Sequence, residues 1–395
     1  MNKKGKAVFI ILFVVLAILF GLVVFRNRFG GIRQIREIGQ VGKDRVEEVL
    51  EGLSLEQKVG QVVLTGLEKE IVTEIEKEMI REASVSGFIL LSKNIQSPEQ
   101  VKSLTSEIKA IATTSATREL PVLISVDQEG GSVTRINFGG FETTPQWQIK
   151  SESQAFEVGK KRGLEIKSLG IDVNFSPVVE VLRNPNSYLG QTGRYFAGGE
   201  EKVAQLSEAM VKGMAEAGVL AVVKHFPGGL GRTPLNPHNV LPEIDIEKED
   251  LEQDLFAFRR LIRIRQIREI GHIGGIMITH LLYPRVDKEN PAAISEVFIE
   301  EILRGELGFE GVVVIDDLNM GAVVKNFDPA EYGLRAIEAG ADLLIVIDKG
   351  MAIEVKERLR QAVEEGKLSE RRLDEAVRRV LKMKFLISLP AGDLP

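Results

Sequence analysis

Eight short runs rich in Val, Ile and Leu recur between residues 59 and 348, and each is separated from the next by enough chain for a helix. They are VGQVVLTG (59–66), VSGFILLS (85–92), PVLISVD (121–127), IDVNFSPVVEV (171–181), VLAVVKHF (219–226), GGIMITHL (274–281), GVVVIDDL (311–318) and ADLLIVID (341–348). Near-continuous apolar runs suit strands buried on both faces, the condition of a parallel sheet covered by helices. Parallel neighbours cannot be joined by a hairpin and need a crossover, usually helical. Eight such units predict an α/β fold, a TIM-type (β/α)8 barrel occupying residues 46–390. A doubly wound sheet is the alternative, but it carries fewer strands and a Gly-rich first turn, and no such turn follows the first run.

Polar residues gather where these runs end: Asp127, Lys224, His225, His280, Asp316 and Asp348. In a barrel the carboxyl ends of the strands hold the active site. Two stretches are the most informative. VVKHFPGGLGRTPLNPH (222–238) runs from a strand into Lys224 and His225, then through a Gly/Pro loop to His238. VVVIDDLNM (312–320) delivers Asp316 and Asp317 together. Successive side chains on a strand face opposite ways, so only one of the two carboxylates can enter a pocket and the other is structural. Near the C-terminus, Ser369 is placed to cap the helix that closes the barrel.

Residues 7–25 carry no charged or polar side chain. Nineteen helical residues at about 1.5 Å each span roughly the ~30 Å hydrocarbon core of a bilayer. Lys3, Lys4 and Lys6 precede the run and Arg26, Arg28, Arg33 and Arg36 follow it, so the charge asymmetry is poor. A cleaved signal peptide would have a shorter apolar core and a small-x-small cleavage site. The expectation is a single-pass N-terminal transmembrane helix within residues 1–28, a tether over 29–45, and an extracytoplasmic catalytic domain. The absence of cysteine excludes disulfides and thiolate chemistry. A net charge of −6 argues against nucleic acid as partner. With no GxGxxG, no HExxH and no clustered ligands, neither cofactor nor metal is expected. IRQIREIG occurs twice, at 32–39 and 264–271, at a spacing that fits no solenoid.

Six ordered motifs resemble the single-domain bacterial β-N-acetylglucosaminidases (β-N-acetylhexosaminidases) of glycoside hydrolase family 3. SGFILLSKNI (86–95) looks like the second-strand signature. PVLISVDQEGGSVTR (121–135) is similar to the third-strand motif, and the resemblance gives Asp127 and Arg135 substrate-binding roles. GIDVNFSPVVEV (170–181) matches the next strand with Glu180 where the family usually has Asp. GRYF (193–196) resembles a loop whose Arg, here Arg194, binds sugar. KHFPG (224–228) places Lys224 and His225 against sugar hydroxyls, and IDDLNM (315–320) makes Asp316 the nucleophile. The chemistry agrees: retaining glycoside hydrolysis needs one carboxylate to attack the anomeric carbon and a proton donor for the leaving oxygen.

The pattern breaks at the proton donor. The family's acid/base is a loop His with an Asp two residues before it, whereas this chain has Asn236-Pro237-His238. An amide can orient the imidazole of His238 through its Nδ1–H but brings no charge to support the imidazolium. The resemblance therefore implies an exo-acting hydrolase of amino-sugar glycans such as peptidoglycan fragments, with a weakened acid/base. The alternatives are a β-glycosidase or phosphorylase of other sugar specificity, and a wall-glycan-binding protein that has lost turnover.

Overall fold

The computed structural model describes residues 45–82, 84–113, 120–268 and 273–387, with the side chains of 264–268 excepted. The chain divides into residues 1–48 and residues 49–395, and the barrel belongs to the second. The expected membrane helix, the tether and the first IRQIREIG copy lie outside the described residues. Of the second copy, the backbone through Arg268 is described, as the end of helix Lys248–Arg268. No helix among the described residues is long and apolar enough to cross a membrane.

Each of the eight runs supplies one strand. β1 (Val63–Gly66), β2 (Gly87–Leu90) and β3 (Leu123–Val126) come first, and a hairpin of β4 (Gln128–Gly130) and β5 (Val133–Thr134) follows. β6 (Val173–Asn174), β7 (Leu220–Phe226), β8 (Ile273–Ile278), β9 (Val312–Ile315) and β10 (Leu343–Val346) complete the set. The closed order is β1-β10-β9-β8-β7-β6-β3-β2, with every neighbour pair parallel. This is the (β/α)8 architecture expected from the spacing of the apolar runs.

Inward side chains fill the barrel. Leu64, Ile89, Leu123, Leu220, Val312 and Leu343 form one cluster, joined by Val380 and Met383 of helix Glu370–Ile387. Leu220, Val312 and Leu343 open their strands, so this last helix closes the amino-terminal mouth and leaves the carboxyl face open. Each fully buried aliphatic side chain contributes roughly 1.5–3 kcal/mol relative to exposure. Ser369 caps that helix as expected, accepting from the Arg372 amide at 3.2 Å.

Three local readings need correction. Residues 59–61 belong to helix Leu55–Gln61, whose start is fixed by a capping box between Ser54 and Gln57, so β1 begins only at Val63. The long run 171–181 ladders only at Val173–Asn174; Pro177 lacks the amide to continue, and the chain rejoins β7 through a single bridge between Val178 and Lys224. The β4–β5 hairpin was not expected at all. Its turn needs Gly130 (φ 86) and Gly131 (φ 59), a left-handed pair that a side chain would strain.

Candidate active site

At the carboxyl face lies a pocket of about 240 Å³ whose lining includes Asp127, Arg135, Arg194, Lys224, His225, His238 and Asp316. Seven residues predicted for the site are thus brought together from five separate segments. Asn236, the eighth, belongs to the same loop as His238.

The hairpin positions one wall. Gln128 donates to Ile136 O at 2.8 Å, accepts from the Arg135 and Ile136 amides at 3.0 Å each, and takes Asn174 Oδ1 on its own amide at 2.9 Å. That anchoring sets Asp127 before the hairpin, Glu129 within it and Arg135 just after it. Arg135 comes within 3.9 Å of Asp127, and its Nε is buried with no hydrogen-bond partner among the described residues.

Behind this wall is a buried charge network. Lys224 Nζ lies 2.6 Å from Asp127 Oδ1 and 2.7 Å from Glu129 Oε1. Arg194 donates to both oxygens of Glu129, Nε to Oε2 and Nη2 to Oε1, each at 2.8 Å. Burial alone would raise the Glu129 pKa, but Arg194 and Lys224 hold it far below the usual carboxylate range. Lys224 is the mirror case: burial works to lower its pKa, and Asp127 and Glu129 raise it instead.

His225 has a defined tautomer. Its Nε2 lies 3.3 Å from Arg194 Nη2, and a guanidinium can only donate, so Nε2 accepts. The proton then sits on Nδ1, which donates to Glu180 Oε1 at 2.7 Å. Glu180 Oε2 accepts the Leu230 amide at 2.8 Å, tying the same carboxylate to the root of the His238 loop.

Asp316 is held differently. Thr279 Oγ1 donates to its Oδ2 and the Asp317 amide to its Oδ1, each at 2.9 Å. Burial would raise its pKa, yet the fields of His225, His280, His238 and Lys224 lower it, so the carboxylate is ionised. Asp317 instead accepts the Ile347 and Asn319 amides at 3.1 Å each, and burial pushes it up to about 7. His280 and Asp348 sit at strand ends but do not line the pocket. His280 bonds Tyr332 Oη and the Asp317 carbonyl, and Asp348 caps helix Lys349–Glu364.

The loop departs from expectation in one respect. Asn236 Oδ1 accepts the backbone amide of His238 at 2.9 Å, and no bond to the imidazole is formed. Asn236 therefore shapes the turn. His238 stands exposed at the pocket mouth with its ring crowded by the walls; that desolvation, with Arg194 and His225, lowers its pKa against the opposing pull of Asp316 and Asp127. Among the described residues no group of three or more carboxylates and imidazoles is placed to hold a metal ion.

The model of the glycosyl hydrolase family 3 N terminal domain matches residues 54–383. This chain belongs to glycosyl hydrolase family 3. A family relative from Pseudoalteromonas piscicida, named β-hexosaminidase A, is 32% identical over 80% of this chain and 56% of its own length. The β-hexosaminidase of Neisseria gonorrhoeae strain FA 1090 is 34% identical over 70% of this chain and 75% of its own. Among solved structures, a family 3 β-N-acetylglucosaminidase from Paenibacillus sp. str. FPU-7 superposes with a TM-score of 0.78 at 36% identity, over 86% of this chain and 64% of that one. The chain thus spans little more than half of the Pseudoalteromonas relative.

Glu129 and Thr279 line the pocket as well. In the sequence Glu129 stands two residues after Asp127, in a strand too short to show a period. Thr279, which lines the pocket against Asp316, gives no signal in the sequence, since a lone Thr ending a strand is common.

Proposed function

We propose that this chain is a retaining, exo-acting β-N-acetylhexosaminidase that removes terminal N-acetylhexosamine from amino-sugar glycans such as peptidoglycan fragments. One observation carries the reading. Among the described pocket carboxylates, Asp127 and Glu129 are paired with cations, whereas Asp316 bonds only a hydroxyl and an amide. An ionised carboxylate to which no lysine or arginine is bonded is suited to attack carbon.

In this scheme Asp316 attacks the anomeric carbon as His238 gives its proton to the departing glycosidic oxygen. The neutral imidazole then takes a proton from water, which releases the sugar from Asp316. Asp127 Oδ2 and the partly exposed Arg135 guanidinium are the groups left to hold sugar hydroxyls. The pocket volume, below that of drug-sized ligand sites, has room for one sugar ring, which supports action at a chain end. The names of the relatives support the amino-sugar preference.

The test is incubation with a chromogenic N-acetyl-β-glucosaminide, with and without phosphate, beside an Asp316→Asn control. Release by the native protein in plain buffer and loss in the control are expected. Release that requires phosphate would make the protein a phosphorylase, and saccharide binding without release would make it a binding protein.

We further propose that residues 1–28 anchor the chain with its catalytic domain outside the cytoplasm, on the support of the unbroken apolar run 7–25.

A further inference from the structure

We infer that Gly321 is a positioning residue: it lets the His238 loop dock on the segment that carries Asp316, and this docking replaces the missing carboxylate as the device that places the imidazole. The inference rests on the role proposed above for His238.

The imidazole of His238 makes no hydrogen bond among the described residues, so its position is inherited from the backbone beneath it. Three successive carbonyls of that backbone are held by one short segment. The Ala322 amide donates to Pro237 O at 3.0 Å, the Gly321 amide to His238 O at 2.9 Å, and Lys325 Nζ to Asn239 O at 2.7 Å. The Asn236 side chain closes the turn from within, and the root of the loop is fixed separately: Tyr283 Oη donates to Gly228 O, and Arg232 Nε donates to Asp254 Oδ2 at 2.6 Å. Tip and root are both tied down, and the tip is tied to the chain that follows Asp316.

Gly321 is needed here for space. Its φ lies outside the left-handed region, so any residue could adopt its conformation. A Cβ at this position would stand 2.5 Å from His238 O and 2.7 Å from Asn239 O. Both are backbone atoms and cannot rotate aside. Restoring an ordinary contact of 3.4 Å would push the tip away by about 0.9 Å and break the two amide bonds. A displacement of about 1 Å in a reacting group can cost on the order of 10²-fold in rate.

The charged groups acting on His238 are Asp316 on β9's extension, Arg194 on the 193–196 loop, His225 at the end of β7 and Asp127 at the end of β3. Moving the ring away from the pocket wall relieves its desolvation and weakens each of these fields.

The experiment compares native protein with Gly321→Ala on two N-acetyl-β-glucosaminides, one with an alkyl and one with a dinitrophenyl leaving group. The alkyl glycoside needs the proton and the dinitrophenyl glycoside does not. Gly321→Ala should lower kcat/KM on the alkyl glycoside by about 10²-fold and leave the other within about threefold. Retained alkyl cleavage, or equal loss on both substrates in a folded protein, overturns the inference. Should Gly321→Ala fail to fold, Lys325→Met removes the outer tie from an exposed position; selective loss on the alkyl glycoside supports docking, and no change on either substrate overturns it.

A second readout does not depend on turnover. The chain has four histidines, and His238→Gln assigns the ring proton signal of His238 by NMR. In native protein it should titrate below an ordinary histidine, and in Gly321→Ala, or in Lys325→Met, it should move toward the ordinary value. An unmoved titration sinks the inference. If the native protein cleaves neither glycoside, the proposed function fails on its own and the titration alone decides the docking.

Discussion

Replacing Glu129 with Gln tests the buried network that organises the pocket. The change keeps the shape of the side chain and removes its charge. Glu129 Oε1 accepts from Lys224 and Arg194, and Oε2 accepts from Arg194 again. A glutamine can keep one of these oxygens, but its amide nitrogen must then face a lysine or arginine donor, donor against donor. Removing one partner of a buried ion pair typically costs ~3–5 kcal/mol, because the surviving charge is left uncompensated. Asp127 still neutralises Lys224 at 2.6 Å, so mainly Arg194 is stranded, with only Tyr188 Oη and His225 Nε2 left to it at 3.3 Å each. The expected loss therefore falls at the low end, about 3 kcal/mol, read as a lower urea midpoint at pH 7. The held-down pKa of Glu129 adds a pH signature. Its stabilisation is present above the ordinary glutamate pKa of ~4.3 and fades as pH falls below it, so native and variant midpoints should converge in acid. A loss under about 1 kcal/mol at pH 7, or a gap that does not narrow in acid, would refute the reasoning.

Asn236→Asp should preserve the turn, since a carboxylate accepts the His238 amide equally well; the added charge should raise the imidazolium pKa, and the alkaline limb of the pH–rate profile on alkyl glycosides should move to higher pH. An unmoved limb would mean that His238 is not the proton donor. Asp317 has a pKa raised by burial, so its neutral form stabilises the fold at low pH and that contribution is lost as pH rises through about 7. Asp317→Asn should accordingly flatten the decline in urea midpoint between about pH 4 and pH 7, and a decline as steep as the native one would contradict the assignment. Removing residues 1–28 should give a detergent-free protein with an unchanged circular dichroism melt, because β1 begins only at Val63; aggregation of that form, with the full chain folded in detergent, would count against the anchor.

Much of this molecule is legible in its sequence because parallel strands buried on both faces leave an unbroken apolar signal. GVVVIDDL is the clearest case: four β-branched residues make β9, and the first polar residue after them is the pocket carboxylate. The signal fails where apolar residues serve another element. Val59 to Gln61 look like the start of a strand, but the Ser54 capping box commits them to a helix. It fails again at β4 and β5, which are too short and too polar to show a period. The site follows the same division. Asp127, Lys224, His225 and Asp316 line the pocket from strand ends that position picks out, but position also picks out His280 and Asp348, which do not line it, and misses Thr279, which does. What was hidden depends on contacts made only in the fold: Glu129 acquires its role when Arg194 and Lys224 fold against it, Asn236 turns its oxygen to the amide of His238 two residues on, and the need for Gly321 appears when the His238 loop lies across it.

The central claim is that Asp316 attacks the sugar and carries it covalently. A fluorinated N-acetylglucosaminyl fluoride, which forms a glycosyl-enzyme faster than it releases it, should inactivate the protein and add one sugar mass to the peptide containing Asp316. Asp316→Asn should take up no label. Label on Asp127 or Glu129, or turnover with no covalent species formed, would contradict the account.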